Sequence, residues 1–277
     1  MSIIERALQK RQTQGDPASP ARPRAKEGVR RPDQAPDGAV AAANAKKFKQ
    51  VPLNAESMER YCVLPQIEDQ SALRAYKILR TRVLQRMVSN HWYSLAVTGA
   101  TTGEGKTLTA INLAIALAQD VNTWVFLVDL DLQRPQVANY LGMQFDKGLG
   151  DYLNGGGDLG LQNICYNVAG VERLAVIPIS RALQHSSELL VSPAMNALSQ
   201  ELSAEMPRRI VIFDMPPLLA SDDVLAFAPQ VDGLLLVLAE GISARASLEK
   251  CKQMIGSTNL IGVVLNRSSE SNESPYY

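Results

Sequence analysis

The chain is short of several features that would narrow its class. It has three cysteines in 277 residues, and Cys62, Cys165 and Cys251 stand far apart. That spacing excludes a disulfide framework and a C-x-x-C metal site, and it suits a reducing compartment. No run reaches about 18 apolar residues, so nothing is expected to span a bilayer. The opening MSIIERALQK lacks the long apolar core of a signal peptide, so a cytoplasmic protein is expected. Net charge is also missing, because Lys+Arg and Asp+Glu both total 28, and no nucleic-acid partner is expected. The two histidines, His91 and His185, have no paired ligands and are read as non-catalytic; Trp92 and Trp124 flank apolar runs and are read as packing residues.

What is present is ample core material, 46% hydrophobic residues with 20% charged, unevenly arranged. Residues 1–50 hold 11 Lys/Arg and 5 Asp/Glu, leaving 17 and 23 for the remainder. Ile3, Ile4, Ala7 and Leu8 would share one side of a short amphipathic helix over 1–11. About ten residues of isolated helix are marginal in water, so this face needs the body, a partner or a membrane surface to dock on. Residues 12–60 read as a basic, disordered linker, Pro-, Ala- and Gly-rich over 12–50. Its runs RPRAKEGVRR and KKFK suit a solvated linker or contact with anionic lipid headgroups.

From residue 61 to 268 the pattern is that of one α/β domain. A helix is predicted over 69–88, with Leu73, Tyr76, Leu79, Val83 and Leu84 at helical spacing. Continuously apolar strands are predicted at 93–98, 124–129, 173–178, 209–214, 233–238 and 261–266, with helices at 106–119, 192–206 and 243–255. Such strands alternating with helices predict a doubly wound, mainly parallel sheet covered on both faces. Residues 269–277 form a polar tail ending SPYY.

The sharpest signal is TGATTGEGKT at 98–107, between a predicted strand and a predicted helix. Its backbone N–H groups would converge on phosphates at the positive end of the helix dipole. Thr102, Gly103, Glu104, Gly105, Lys106, Thr107 and Leu108 are therefore the expected nucleotide-binding run. Lys106 would reach the outer phosphates of ATP, and the Thr107 hydroxyl would ligate Mg²⁺. The strict phosphate-loop pattern wants glycine at position 100, where Ala100 stands with Gly99 before it. Two other strands end in carboxylates, Asp129 and Asp131 in FLVDLDLQRP and Asp214 in IVIFDMPP. In parallel sheets ligands gather beyond the carboxyl ends of strands, so all three should face the phosphate loop. Asp129 and Asp214 are the expected metal carboxylates beside Thr107, and Lys106, Asp129 and Asp131 the expected catalytic groups.

These segments, with FDMPPLLASDD, VDGLLLVLAEG and GVVLNR, closely resemble the bacterial tyrosine kinases of polysaccharide export, which share the ATPase fold of MinD and ParA proteins. The opening and the Pro-rich linker resemble the family's exosortase-associated branch. The resemblance implies a P-loop fold and a protein-tyrosine autokinase that uses ATP and Mg²⁺. In it Lys106 and Thr107 are the Walker A pair, Asp129 and Asp131 the second Walker element, Asp214 the Walker B residue, and Asp129 activates the acceptor hydroxyl. It implies that Asn266 and Arg267 lie on the adenine side and that Tyr276 and Tyr277 are phosphoacceptors. It also implies a separate membrane-embedded chain-length partner, recruitment to the inner face of the membrane, and a homo-oligomer. The family's E-x-x-R-x-x-R ring element reads Arg74, Lys77, Arg80 here, with its acidic position reversed in charge. Thr101 stands where MinD and ParA proteins carry a signature lysine, which favours the kinase over a switch ATPase. A non-catalytic nucleotide-binding scaffold would not need the full set of charges.

Overall fold

The structure, a computed structural model, describes residues 48–205, 209–256 and 258–269. The helix expected at 1–11, the linker as far as residue 47, and Tyr276 and Tyr277 lie outside the described residues.

Eight strands make one sheet: β1 (Lys49–Val51), β2 (Ser94–Gly99), β3 (Trp124–Asp129), β4 (Tyr166–Val168), β5 (Leu174–Ile177), β6 (Arg209–Asp214), β7 (Gly233–Ala239) and β8 (Leu260–Asn266). Their spatial order is β1-β4-β5-β3-β6-β2-β7-β8, and every pair is parallel except β4 with β5. Successive residues of a strand point to opposite faces. In β3, Val125 and Leu127 join one buried cluster while Phe126 and Val128 join the other. Both faces are covered by helices, which is why these strands read as unbroken apolar runs.

One face carries α1 (Ala55–Arg60), α2 (Gln70–Asn90), α3 (Lys106–Ala118) and α4 (Val137–Leu141). The other carries α5 (Leu149–Asn154), α6 (Ser186–Leu190), α7 (Pro193–Glu205), α8 (Asp223–Phe227) and α9 (Arg245–Ile255). α3 is buried continuously from Thr109 to Ala118, because α2 packs over it and sets Val83 and Met87 into the same cluster. Asp69 starts α2 by accepting the N–H groups of Ser71 and Ala72. On α2, Arg80 reaches Gln119 at the end of α3 at 3.4 Å.

Residues 48–60, assigned by composition to the linker, belong to the body. Phe48, Val51 and Met58 are buried, β1 pairs with β4, and Asn54 caps α1 by accepting the Ser57 N–H. Three well-spaced apolar residues are enough to fix a short edge strand and a helix that average composition hides. The following loop is held by the buried Asn112 of α3, which accepts the Leu64 N–H at 2.8 Å and donates to the Cys62 carbonyl at 3.1 Å. Asn112→Ala would strand both backbone groups. It is expected to lower unfolding free energy by about 2–3 kcal/mol in a urea titration; a loss below about 0.5 kcal/mol would mean that water replaces the side chain.

Candidate nucleotide site

The parallel ladder decides what meets at the carboxyl edge. Asp129 at the end of β3 is in register with Asp214 at the end of β6, and β6 lies beside β2, whose last residue opens the phosphate loop. The β6 exit is tied to that loop: the Thr98 hydroxyl donates to the Pro216 carbonyl, and the Leu218 N–H donates to the Gly99 carbonyl. The loop turns through Gly103 and Gly105, both at φ +87°, where an L side chain would be strained. A Cβ on Gly105 would also collide with the Asn266 side chain. Gly105 then caps α3, so the loop amides sit at a helix N-terminus.

A cavity of about 570 Å³ opens here. Thr102, Gly103, Gly105, Lys106, Thr107 and Leu108 line it from the loop, with Asn266 and Arg267 from the β8 side of the sheet and Asp131 from the β3 side. Asp129 and Asp214 lie beneath, 1% and 0% exposed. Asn266 and Arg267 do more than wall the cavity: the Asn266 amide donates to the Glu104 carbonyl at 3.0 Å and the Arg267 guanidinium to the Gly103 carbonyl at 3.1 Å. The Glu104 carboxylate faces the protein and not the cavity. It accepts the Thr101 N–H and hydroxyl and, at 2.5 Å, the Ser243 hydroxyl.

The three aspartates differ in what holds them. Asp131 forms a 2.8 Å ion pair with Lys106. Asp129 accepts the Asp131 N–H on one oxygen and the N–H groups of Gln136 and Val137 on the other, which fixes the turn into α4. Neither oxygen of Asp214 has a well-formed hydrogen bond, although the Thr107 hydroxyl is close enough to act on it. Burial raises the Asp214 carboxyl to about 6, against the pull of Lys106 and the Thr107 hydroxyl. Burial, then the charge of Asp214, holds Asp129 well above the ordinary carboxylate value. Burial alone would lower Lys106, but Asp214 and Asp131 outweigh it and the ammonium is raised. Two orphaned carboxylate oxygens beside a hydroxyl and a phosphate loop suit a hard divalent cation that shares its remaining ligands with phosphate.

Lining residues that the motifs did not flag are Gln133, Arg134, Gln136, Tyr140, Pro216, Pro217, Ala220 and Ser221. The prolines could have been taken from DMPP, since they follow Asp214 directly. Nothing in the sequence marks Tyr140, or Ser243 as the partner of Glu104.

Fold and site together define a P-loop nucleotide-binding protein. Residues 95–276 match the family described as the CobQ/CobB/MinD/ParA nucleotide binding domain. The tyrosine-protein kinase YwqD of Bacillus subtilis is 30% identical over 203 residues, covering 73% of this chain and 83% of the relative. The tyrosine-protein kinase CpsD of Streptococcus agalactiae is 31% identical over 180 residues, covering 64% and 75%. The kinase domain of the Escherichia coli tyrosine kinase ETK superposes with a TM-score of 0.61 at 29% identity, over 74% of this chain and 80% of that domain. The chain belongs to the CobQ/CobB/MinD/ParA nucleotide-binding family and, within it, to the bacterial tyrosine-protein kinases.

The raised Asp214 carboxyl has a stability consequence. Between about pH 4 and 6 the folded protein keeps a proton that the unfolded chain has lost, so stability falls as pH rises through that window and stays low above it. Without nucleotide at pH 7.5, Asp214→Asn is therefore expected to be more stable than wild type in a urea titration, by about 1–3 kcal/mol. Mg-ATP should stabilise wild type and not the variant. A variant less stable than wild type would show that Lys106 fully compensates the buried charge.

Proposed function

We propose that this chain is an ATP-dependent protein-tyrosine autokinase that regulates exopolysaccharide polymerisation and export from the cytoplasmic face of the membrane. The observation that carries the reading is the buried Asp129–Asp214 pair beneath a phosphate loop whose lysine is ion-paired to a third carboxylate, Asp131. The loop amides and the α3 N-terminus hold the phosphates of ATP, and Asn266 and Arg267 border its adenine end. Thr107 and Asp214, with Asp129 close by, would hold Mg²⁺, which would supply charge neutralisation to the phosphates. Lys106 exchanges Asp131 for the outer phosphates, and both ends of that exchange are anionic. The acceptor phenol oxygen bonds to the γ-phosphorus as the bond to the β–γ bridging oxygen breaks, and ADP leaves. The phenolic proton passes to the Asp129–Asp131 pair, in which Asp129 carries the raised proton affinity and Asp131 opens on the cavity.

Tyr276 and Tyr277 are the proposed acceptors. The proposed partner is a membrane-embedded co-polymerase; among the described residues no helix is long and apolar enough to cross a membrane. A switch ATPase is the lesser reading, because position 101 is a threonine whose N–H and hydroxyl are both bound to Glu104.

The test is peptide mass spectrometry of the full chain after incubation with Mg-ATP, with and without the cytoplasmic end of a candidate co-polymerase. Phosphate on the terminal peptide is expected, absent in Lys106→Met and in Tyr276→Phe/Tyr277→Phe. Asp129→Asn should slow transfer by about 100-fold or more. ATP hydrolysis without phosphotyrosine under either condition would replace the kinase with the switch ATPase.

A further inference from the structure

The cavity has two ends, and the sheet order says what each can serve. The phosphate loop follows β2; β8, ending in Asn266, lies two strands away on one side, and β3, ending in Asp129, two strands away on the other. Asn266 and Arg267 follow β8 and line the first end, while Asp131, Arg134 and Tyr140 follow β3 and line the second; the Arg267 charge still reaches Tyr140 across the site. Lys106 and Asp131 are joined at that second end, so the reacting phosphate belongs there and the space beyond it is left for the acceptor.

Tyr140 is held in place from two directions. Its helix, α4, begins on the Asp129 carboxylate, which accepts the N–H groups of Gln136 and Val137. Its ring lies nearly flat on that of Tyr61, with centroids 4.2 Å apart and an interplanar angle of 12°. Tyr61 ends α1, which packs against α4. One side of the Tyr140 ring is thus backed by a second ring, and the half-buried residue still contributes to the cavity wall. A stacked pair whose rotamers are already fixed offers a further ring a contact with little ordering cost.

We propose that Tyr140, backed by Tyr61, is the surface on which the acceptor tyrosine stacks, making it a specificity determinant for a phenolic acceptor. A serine or a water molecule has no ring to place there. The inference rests on the kinase reading above and adds the acceptor subsite to it.

The experiment uses the full chain with Tyr276→Phe/Tyr277→Phe, Mg-ATP, and a synthetic peptide of residues 268–276 as a single-tyrosine acceptor. Tyr140→Leu keeps an apolar side chain and removes the ring; Tyr140→Phe keeps the ring. For Tyr140→Leu the peptide KM should rise roughly three- to tenfold, the range of one aromatic stacking contact. The Kd for Mg-ATP, read by displacement of a fluorescent analogue, should move less than about twofold. Tyr140→Phe should restore the peptide KM, and Tyr61→Leu should raise it by a smaller factor. An unchanged peptide KM in Tyr140→Leu, an equal loss of ATP affinity, or phosphate mapped to Tyr140 itself would each overturn the subsite while leaving the kinase standing. No transfer to the peptide or to the unaltered chain's own tyrosines would bring down the kinase reading first, and the subsite with it.

Discussion

Two carboxylates at the ends of adjacent parallel strands, Asp129 and Asp214, set the electrostatics of the whole site. Neighbouring strands in a sheet lie about 4.8 Å apart, so residues in register cannot escape one another. Both are buried, and Asp214 has no well-formed hydrogen bond on either oxygen. Such a pair is unfavourable unless positive charge is near, and the ammonium that acts on both carboxylates is Lys106, itself ion-paired with Asp131. Three carboxylates share this one buried lysine, while Arg134 and Arg267 line the cavity farther out, nearer solvent. That imbalance is the physical reason to expect a divalent cation to arrive with the phosphates, whose own charge would otherwise worsen the repulsion.

Asp129 has a second duty that links chemistry to shape. The same carboxylate that repels Asp214 also organises the turn from Asp131 to Val137 by accepting three backbone N–H groups. The position of α4, and of the ring that α4 presents to the cavity, therefore depends on the group to which the acceptor proton is assigned. Tyr61 extends this dependence to the N-terminal edge of the body, because α1 lies on α4 and β1 anchors α1 through the sheet.

Much of this was legible where local backbone geometry dictates residue type. Gly103, Gly105, Lys106 and Thr107 are demanded by a tight turn that opens a helix against phosphate, and β3 and β6 run over 124–129 and 209–214 as their apolar runs predict. Three-residue strands such as β1 and β4 are too short to show a period, and the five- and six-residue helices α1, α4, α5, α6 and α8 do not complete a repeat of the apolar pattern. Composition averaged over 12–60 concealed Phe48, Val51 and Met58. Contacts between residues distant in the chain, such as Glu104 with Ser243 or Tyr61 with Tyr140, carry no local signature, since each residue taken alone is an ordinary loop or helix residue.

The phosphate loop itself illustrates why a buried acid belongs beside an anion site. A loop that must attract phosphate has to point its N–H groups inward and dispose of its carbonyls elsewhere. Here the Gly103 and Glu104 carbonyls accept from Arg267 and Asn266, and the Gly99 carbonyl accepts the Leu218 N–H. The Glu104 carboxylate turns into the protein and binds Thr101 and Ser243, which closes the loop on itself and fastens it to the turn after β7. These acceptors of the loop are thereby occupied, leaving its donors for the cavity. Asn266 and Arg267, expected from the family resemblance at the adenine end, are seen to shape the phosphate loop, because they hold carbonyls whose turn toward the phosphates would cost the loop its affinity for anions.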